Sequence, residues 1–106
     1  MSKDEVTLPL IAPSEYTASS RVIHSGPCIV KTVHIAADGA NADAQVYDSL
    51  NALGRLVAHL EALSGTSYTW RPGEGTDFDF GIYIAVNAST TKVTVTYIPE
   101  SRKRFI

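Results

Sequence analysis

The chain has 106 residues and a formal net charge of −2, with 44% hydrophobic and 19% charged residues. This length suits one domain with a modest core, the composition is too apolar for a disordered chain, and the charge gives no indication of nucleic-acid binding. The one cysteine, Cys28, excludes an internal disulfide and a cysteine-based zinc cage.

The first residues, MSKDEV, lack the apolar segment of a signal peptide, so we expect a protein that folds in a reducing cytoplasm. No apolar run reaches the roughly 18 residues that a membrane-spanning helix needs. The sequence therefore predicts no membrane contact and no direct contact with nucleic acid.

Residues 1–20 are predicted to form an extended N-terminal arm. Pro9 and Pro13 fix the backbone and remove two hydrogen-bond donors, which disfavours a central strand. The apolar side chains of this arm are expected to contact the domain or a neighbouring subunit, and these are Leu8, Leu10 and Ile11. A terminus that frays in solution is an equally weighted alternative.

Two strands are predicted next, in SSRVIHSG (residues 19–26) and in PCIVKTVHIAA (residues 27–37), and the first ends at the turn signal Ser25-Gly26-Pro27. The second strand is rich in β-branched residues, which suit a pleated surface. Strict alternation along it predicts two distinct faces. One face would carry Cys28, Val30, Thr32, His34 and Ala36, and the other would carry Ile29, Lys31, Val33 and Ile35.

Residues 44–65 have two interpretations. Five apolar residues recur at steps of three and four, as on one face of a helix, namely Leu50, Leu53, Val57, Leu60 and Leu63. Against a helix, Gly54 in its middle costs roughly 1 kcal/mol relative to alanine, and the DSLN segment favours a turn. As a hairpin, residues 44–50 and 55–63 are strands, and alternation places Leu56, Ala58, Leu60 and Ala62 on one side. The residues alone favour neither interpretation.

Residues 64–99 return to patterns that predict strands. Phe78 and Phe80 are expected to share one strand face, with Gly81 marking a bulge or a close backbone approach. The last strand alternates, with Val93, Val95 and Tyr97 on one face. Six to eight short strands with turns about every 8–12 residues predict an all-β sandwich or barrel.

Four segments carry a resemblance to a known family: GPCIVKTVHIAA, VYDSLNALGRLVAHL, DFDFGIYIAVN and VTVTYIP, at residues 26–37, 46–60, 77–87 and 93–99. In this order they resemble small virion structural proteins of tailed bacteriophages. The pattern consists of strands and turns and contains no catalytic signature. In that family the VYD…G unit connects two strands of a β-hairpin, so the resemblance favours strands at 44–50 and 55–63.

The resemblance implies one jelly-roll-like β-sandwich at residues 21–99, between the arm and a basic C-terminal tail at residues 100–106. It also implies a non-enzymatic capsid decoration (cement) protein, made in the host cytoplasm and located on the capsid surface of the virion. The expected partners are the major capsid protein and copies of the chain itself, as a homotrimer. A structural protein of the head–tail junction is the alternative.

The tail SRKRF carries three adjacent positive charges, and on a net-negative chain this favours contact with an acidic partner surface. Burial of the last two residues in a neighbour would stabilise docking by roughly 2–5 kcal/mol before ordering costs. The predicted partner contacts of both termini are Leu8, Leu10, Ile11, Arg102, Lys103, Arg104, Phe105 and Ile106.

No catalytic residue, cofactor or metal site is predicted. The three histidines are His24, His34 and His59, and with Cys28 they do not provide the three or four convergent ligands that zinc needs. Cys28 follows a proline in an apolar strand, where cysteine is usually an inert small hydrophobe. Three carboxylates are candidate Ca²⁺ ligands but fit a solvated strand face better, namely Glu74, Asp77 and Asp79.

A carbohydrate-binding β-sandwich is a further alternative. Its candidate ligand platform consists of Tyr68, Trp70 and Tyr83, whose rings are able to stack on a sugar. A tryptophan buried in the sandwich core is the more frequent explanation of Trp70. A cupin-like lyase or isomerase is disfavoured, because the chain lacks a histidine pair with a nearby glutamate ligand.

Overall fold

The computed structural model describes residues 14–88 and 91–100, which form nine β-strands and no helix. The strands are β1 (Ser14–Thr17), β2 (Arg21–Ser25), β3 (Cys28–Ala37), β4 (Ala42–Asp48), β5 (Arg55–Ala62), β6 (Ser67–Trp70), β7 (Thr76–Phe78), β8 (Gly81–Val86) and β9 (Thr91–Pro99). Within these residues, no helix exists that is long and apolar enough to span a membrane.

The strands form two antiparallel sheets. The first has the order β1-β9-β3, with β6 and β7 both pairing along the free edge of β3, and the second has the order β2-β8-β4-β5. The chain crosses between sheets at every connection except the β4–β5 hairpin and the step from β6 to β7. This is the strand order of a jelly roll, so the predicted all-β, jelly-roll-like sandwich is confirmed.

The ambiguous segment is a hairpin, and the helical interpretation is wrong. β4 alternates strictly between buried and half-buried residues, and its partner β5 returns antiparallel beside it. The DSLN residues build the turn between them, because Ser49 Oγ accepts the Asn51 N–H at 3.2 Å and Asn51 Oδ1 accepts the Leu53 N–H at 2.8 Å. A Cβ at Gly54 would collide with the Ser49 side chain, which explains the glycine at this position.

The core lies between the two sheets. Its fully buried side chains include Val30, Val33, Ile35, Val46, Phe78, Ile82, Ile84, Val93 and Val95. The predicted inner face of the last strand is confirmed, because Val93, Val95 and Tyr97 are all buried. Both sheets therefore contribute alternate residues to one apolar layer, as a sandwich requires.

The two predicted faces of β3 are wrong. Thr32 pairs with Thr96, but the next pair joins Val30 to Tyr97, so Lys31 is an extra residue that forms a β-bulge. The bulge shifts the alternation by one residue. The buried residues of β3 are consequently Cys28, Val30, Val33, Ile35 and Ala37, whereas Thr32, His34 and Ala36 lie on the outer side.

The expectation that Phe78 and Phe80 share a face is also wrong. Phe78 ends β7 and is fully buried, while Phe80 lies in the connection that crosses to the other sheet and is 67% exposed. Gly81 begins β8 with a φ of 147°, and a Cβ there would lie 2.5 Å from the His24 carbonyl oxygen. The predicted close backbone approach at Gly81 is therefore confirmed.

The sandwich begins earlier than residue 21. Ser14–Thr17, the end of the predicted arm, pairs with β9 as an edge strand, from Thr17 opposite Val93 to Ser14 opposite Thr96. At the other end, the Glu100 N–H donates to the Pro27 carbonyl oxygen at 3.0 Å. All eight predicted partner-contact residues of the termini, Leu8, Leu10, Ile11, Arg102, Lys103, Arg104, Phe105 and Ile106, lie outside the described residues.

Candidate functional site

A buried carboxylate organises one end of the sandwich. Asp48 is the last residue of β4 and is only 3% exposed. Its carboxylate accepts the Phe80 N–H at 2.9 Å, the Asp79 N–H at 3.1 Å and a guanidinium N–H of Arg55 at 3.1 Å. Asp48 therefore ties the end of β4 to the start of β5 and to the β7–β8 connection.

The electrostatics of Asp48 favour its ionised form. Burial alone would raise the pKa of this carboxyl, but the N–H groups of Phe80 and Asp79, followed by the Arg55 guanidinium, lower the pKa below its ordinary value. Hydrogen bonds to a charged acceptor are stronger than neutral ones, so this contact holds the surrounding backbone firmly. The connections at this end are thus fixed by one charged group.

Four large apolar side chains are exposed at the same end, and we call them the apolar end: Leu50, Leu53, Leu56 and Phe80. Their exposed fractions are 48%, 92%, 48% and 67%, respectively. Leu50 and Leu53 belong to the β4–β5 turn, and Leu50 Cδ2 would lie 2.8 Å from a Cβ at Gly81, the residue after Phe80. Exposed apolar groups concentrated in one region mark an interaction surface more often than scattered ones do.

A second bulge explains why Leu56 is exposed. Val46 pairs with Ala58, but Tyr47 pairs with Leu56, so Val57 is the extra residue in β5. Leu56 consequently shares the outer face with Tyr47 and leaves the face that carries Ala58, Leu60 and Ala62. The alternation predicted for this strand is therefore correct for its C-terminal part and wrong at Leu56.

The predicted ligand platform is not assembled. Tyr68 and Trp70 lie on β6 at the edge of the five-stranded sheet, opposite Ile35 and Val33, and Trp70 packs against the core. Tyr83 lies on the outer face of the other sheet, where its ring is 6.2 Å from that of Tyr47. Tyr83 thus lies on a different sheet from Tyr68 and Trp70, and the three rings do not form one surface.

Among the described residues, Cys28, His24 and His34 form no group of three converging metal ligands. Cys28 is fully buried, and burial, with added repulsion from the charges of Asp48, Glu100 and Asp77, raises its pKa to about 12. At neutral pH its side chain is a protonated thiol, which is a poor nucleophile. His34 Nδ1 lies 2.8 Å from Thr69 Oγ1, and the His24 ring lies 5.1 Å from that of Tyr97.

The three candidate Ca²⁺ ligands do not form a cluster of converging side chains. Within residues 14–88 and 91–100, the one group of three or more His, Cys, Asp or Glu ligand atoms close enough to share an ion is Asp43, His59 and Glu61. Glu74, Asp77 and Asp79 form no such group there.

Comparison with known protein families and with curated proteins finds no match. What the protein does must therefore be inferred from its own residues.

The apolar end was not predicted as a site from the sequence. A signal was present, because in the hairpin interpretation Leu50 and Leu53 fall in a turn and have no core to enter. The exposure of Leu56 and Phe80 had no comparable signal, since it depends on a bulge and on a crossover between sheets.

Proposed function

We propose that the protein is a non-enzymatic structural component of a tailed-phage virion, specifically a capsid decoration (cement) protein that bridges neighbouring capsid subunits. The observation that carries the proposal is the apolar end, with Leu53 92% and Phe80 67% exposed beside a turn fixed by Asp48. The resemblance of residues 26–37, 46–60, 77–87 and 93–99 to phage structural proteins supplies the class. A jelly roll occurs in many capsid and lectin domains, and by itself it does not decide the function.

The occupant we assign to the apolar end is an apolar surface of the major capsid protein. Full burial of a leucine or phenylalanine side chain is worth roughly 1.5–3 kcal/mol, before the cost of association is subtracted. The Asp48 contacts hold the β4–β5 turn and the backbone of Phe80 in place, so little conformational entropy is lost on docking.

Bridging requires a second contact on a neighbouring subunit. The apolar residues at the two termini, predicted from the sequence, supply such a contact in this proposal. Once one contact has formed, the second becomes intramolecular, which increases the overall affinity without a stronger individual site. Many copies on one shell then stabilise it by the same mechanism.

The test measures binding to capsids of the encoding phage that were assembled without this protein. We expect the double variant Leu53→Ser with Phe80→Ser to keep the wild-type circular dichroism and melting temperature but to raise Kd for the shell at least about tenfold. The matched control is Leu63→Ser, because Leu63 is 70% exposed but follows the opposite end of β5. The control variant should bind as the wild type does.

Three results would count against the proposal. Unchanged shell binding by the double variant would show that the apolar end is not the docking surface. Loss of a homo-oligomer in sedimentation, with shell binding retained, would assign the apolar end to a second copy of the chain. A glycan that binds the wild type and not the Trp70→Ala variant would favour the carbohydrate-binding alternative.

A further inference from the structure

Three metal-ligating side chains meet on the outer face of the four-stranded sheet, away from the apolar end. Asp43 lies on β4, and His59 and Glu61 lie on β5. His59 Nε2 is 2.8 Å from Asp43 Oδ1 and 3.8 Å from Glu61 Oε2. One ligand atom from each of the three residues lies within 4.8 Å of the other two.

The backbone register creates an electrostatic conflict at this place. Asp43 stands directly opposite Glu61 in the β4–β5 ladder, and two like charges at directly opposed positions destabilise a sheet. His59 lies beside both carboxylates and is the one side chain with a basic nitrogen in contact with them among the described residues. A cation placed between the three groups would remove the repulsion.

Asp43 is held in place from several sides. Its carboxylate accepts the side-chain N–H of Asn87 at 3.2 Å, and its backbone N–H donates to Thr91 Oγ1 at 3.0 Å. Asp43 is therefore a carboxylate whose position is fixed by its neighbours.

The spacing of the three groups suits a small transition-metal ion. Ligand atoms around one tetrahedral zinc ion are roughly 3.3 Å apart, and the two distances from His59, 2.8 and 3.8 Å, lie on either side of this value. Small rotations of exposed side chains would equalise them. A groove of about 360 Å³ lies next to the cluster, lined in part by Asn41, Asp43 and Glu61 but not by His59.

We propose that Asp43, His59 and Glu61 bind one Zn²⁺ ion, with water completing the coordination. An imidazole nitrogen with two carboxylate oxygens favours zinc over Ca²⁺ and Mg²⁺, which prefer all-oxygen sites. The ion would link edge strand β5 to β4 and so stabilise the folded chain by mass action. The site is separate from the apolar end, and its existence does not depend on capsid binding.

The test is isothermal titration of ZnCl₂ into the full chain after treatment with EDTA, together with melting curves in the presence and absence of zinc. We expect one ion per chain and a melting temperature that rises with zinc concentration. His59→Gln and Glu61→Gln should each weaken binding by at least about tenfold, since each removes a ligand. His34→Gln is the matched control, because His34 lies on the other sheet and contacts Thr69.

The outcomes are distinguishable. Retained binding in the control, with loss in both ligand variants and no saturable binding of Ca²⁺ or Mg²⁺, supports the site. Absence of saturable zinc binding in the wild type would overturn it. Wild-type affinity in His59→Gln and Glu61→Gln would also overturn it, because the ion would then bind elsewhere on the chain.

Discussion

The two ends of the β4–β5 hairpin differ sharply, although the same two strands build both. At the turn end, Leu53 is almost fully exposed and the buried carboxylate of Asp48 fixes the backbone. Toward the other end, Asp43, His59 and Glu61 interact on the outer face. One end thus exposes apolar surface on a rigid support, and the other exposes charge.

The comparison shows that a polar group supports the apolar surface. Asp48 takes an inward position that alternation would give to an apolar residue, and its charge satisfies the N–H groups of the neighbouring connection. The polar side chains at the other end are partly exposed, and His59 lies beside both carboxylates. We therefore expect substitutions to affect stability strongly where groups are buried and weakly at the charged cluster.

The largest difference in the loss of stability on substitution is expected between two leucines of this one hairpin. Leu60 is 4% exposed and Leu53 is 92% exposed. Leu60→Ala should lower the free energy of unfolding by about 2–5 kcal/mol, because it leaves a cavity in the core. Leu53→Ala should change it by less than about 0.5 kcal/mol. Urea denaturation at pH 7 measures both, and equal effects would contradict the placement of the two side chains.

The next effect concerns Asp48. Asp48→Asn should lower the free energy of unfolding at pH 7 by about 2–4 kcal/mol, because a buried charged acceptor of backbone and guanidinium N–H groups becomes a neutral amide. The control is Asp38→Asn, which removes an exposed ion pair with Lys92 and should cause a much smaller change. A similar loss in both variants would show that burial of Asp48 is unimportant.

The difference in the free energy of unfolding between the wild type and Asp48→Asn should depend on pH in a defined direction. The folded-state pKa of Asp48 is lowered, so its contribution is complete above the unfolded-state pKa of about 3.9 and is lost as the pH falls through the folded-state value. The stability gap between wild type and Asp48→Asn should therefore be constant near neutrality and shrink below about pH 4. Denaturation curves at several pH values test this, and a gap that widens in acid would be inconsistent with it.

Much of this fold could be predicted from local patterns. Residues 28–37 and 93–99 alternate or are rich in β-branched residues, and their strands lie where they were expected. The hairpin at residues 44–63 could be predicted only with the family resemblance, because leucine spacing and strand alternation give nearly equal signals there. The turn chemistry of Ser49 and Asn51 was the local feature that agreed with the observed structure.

The parts that could not be predicted depend on contacts distant in sequence. Lys31 is a bulge because β3 pairs with β9 across some sixty residues, and no local pattern contains that pairing. The bulge moves Val33 and Ile35 into the core. The Asp43–His59–Glu61 cluster depends in the same way on the register of β4 against β5, which is known only once the turn and the bulge at Val57 are placed.

A smaller effect is expected at the charged cluster. His59→Gln removes a half-exposed contact with Asp43, which is an ion pair when the imidazole is protonated, so it should lower the free energy of unfolding by no more than about 1 kcal/mol in EDTA. This decrease in the free energy of unfolding should be smaller at high salt than at low salt, because salt screens exposed charges. Parallel denaturation curves at low and high ionic strength measure it. A loss as large as that of Asp48→Asn would remove the distinction between the two ends.

The smallest effect on stability is expected for Glu61→Gln, and its sign should depend on whether zinc is present. In EDTA, Glu61→Gln should change the free energy of unfolding by less than about 0.5 kcal/mol and in the stabilising direction, because it removes a like charge opposite Asp43. With saturating zinc the order should reverse, since the wild type gains the binding energy of the ion and the variant has lost a ligand. Melting curves of both proteins with and without zinc measure this reversal. If Glu61→Gln stays at least as stable as the wild type in zinc, the carboxylate at position 61 does not bind the ion, and the cluster is a pair of repelling charges that His59 alone offsets.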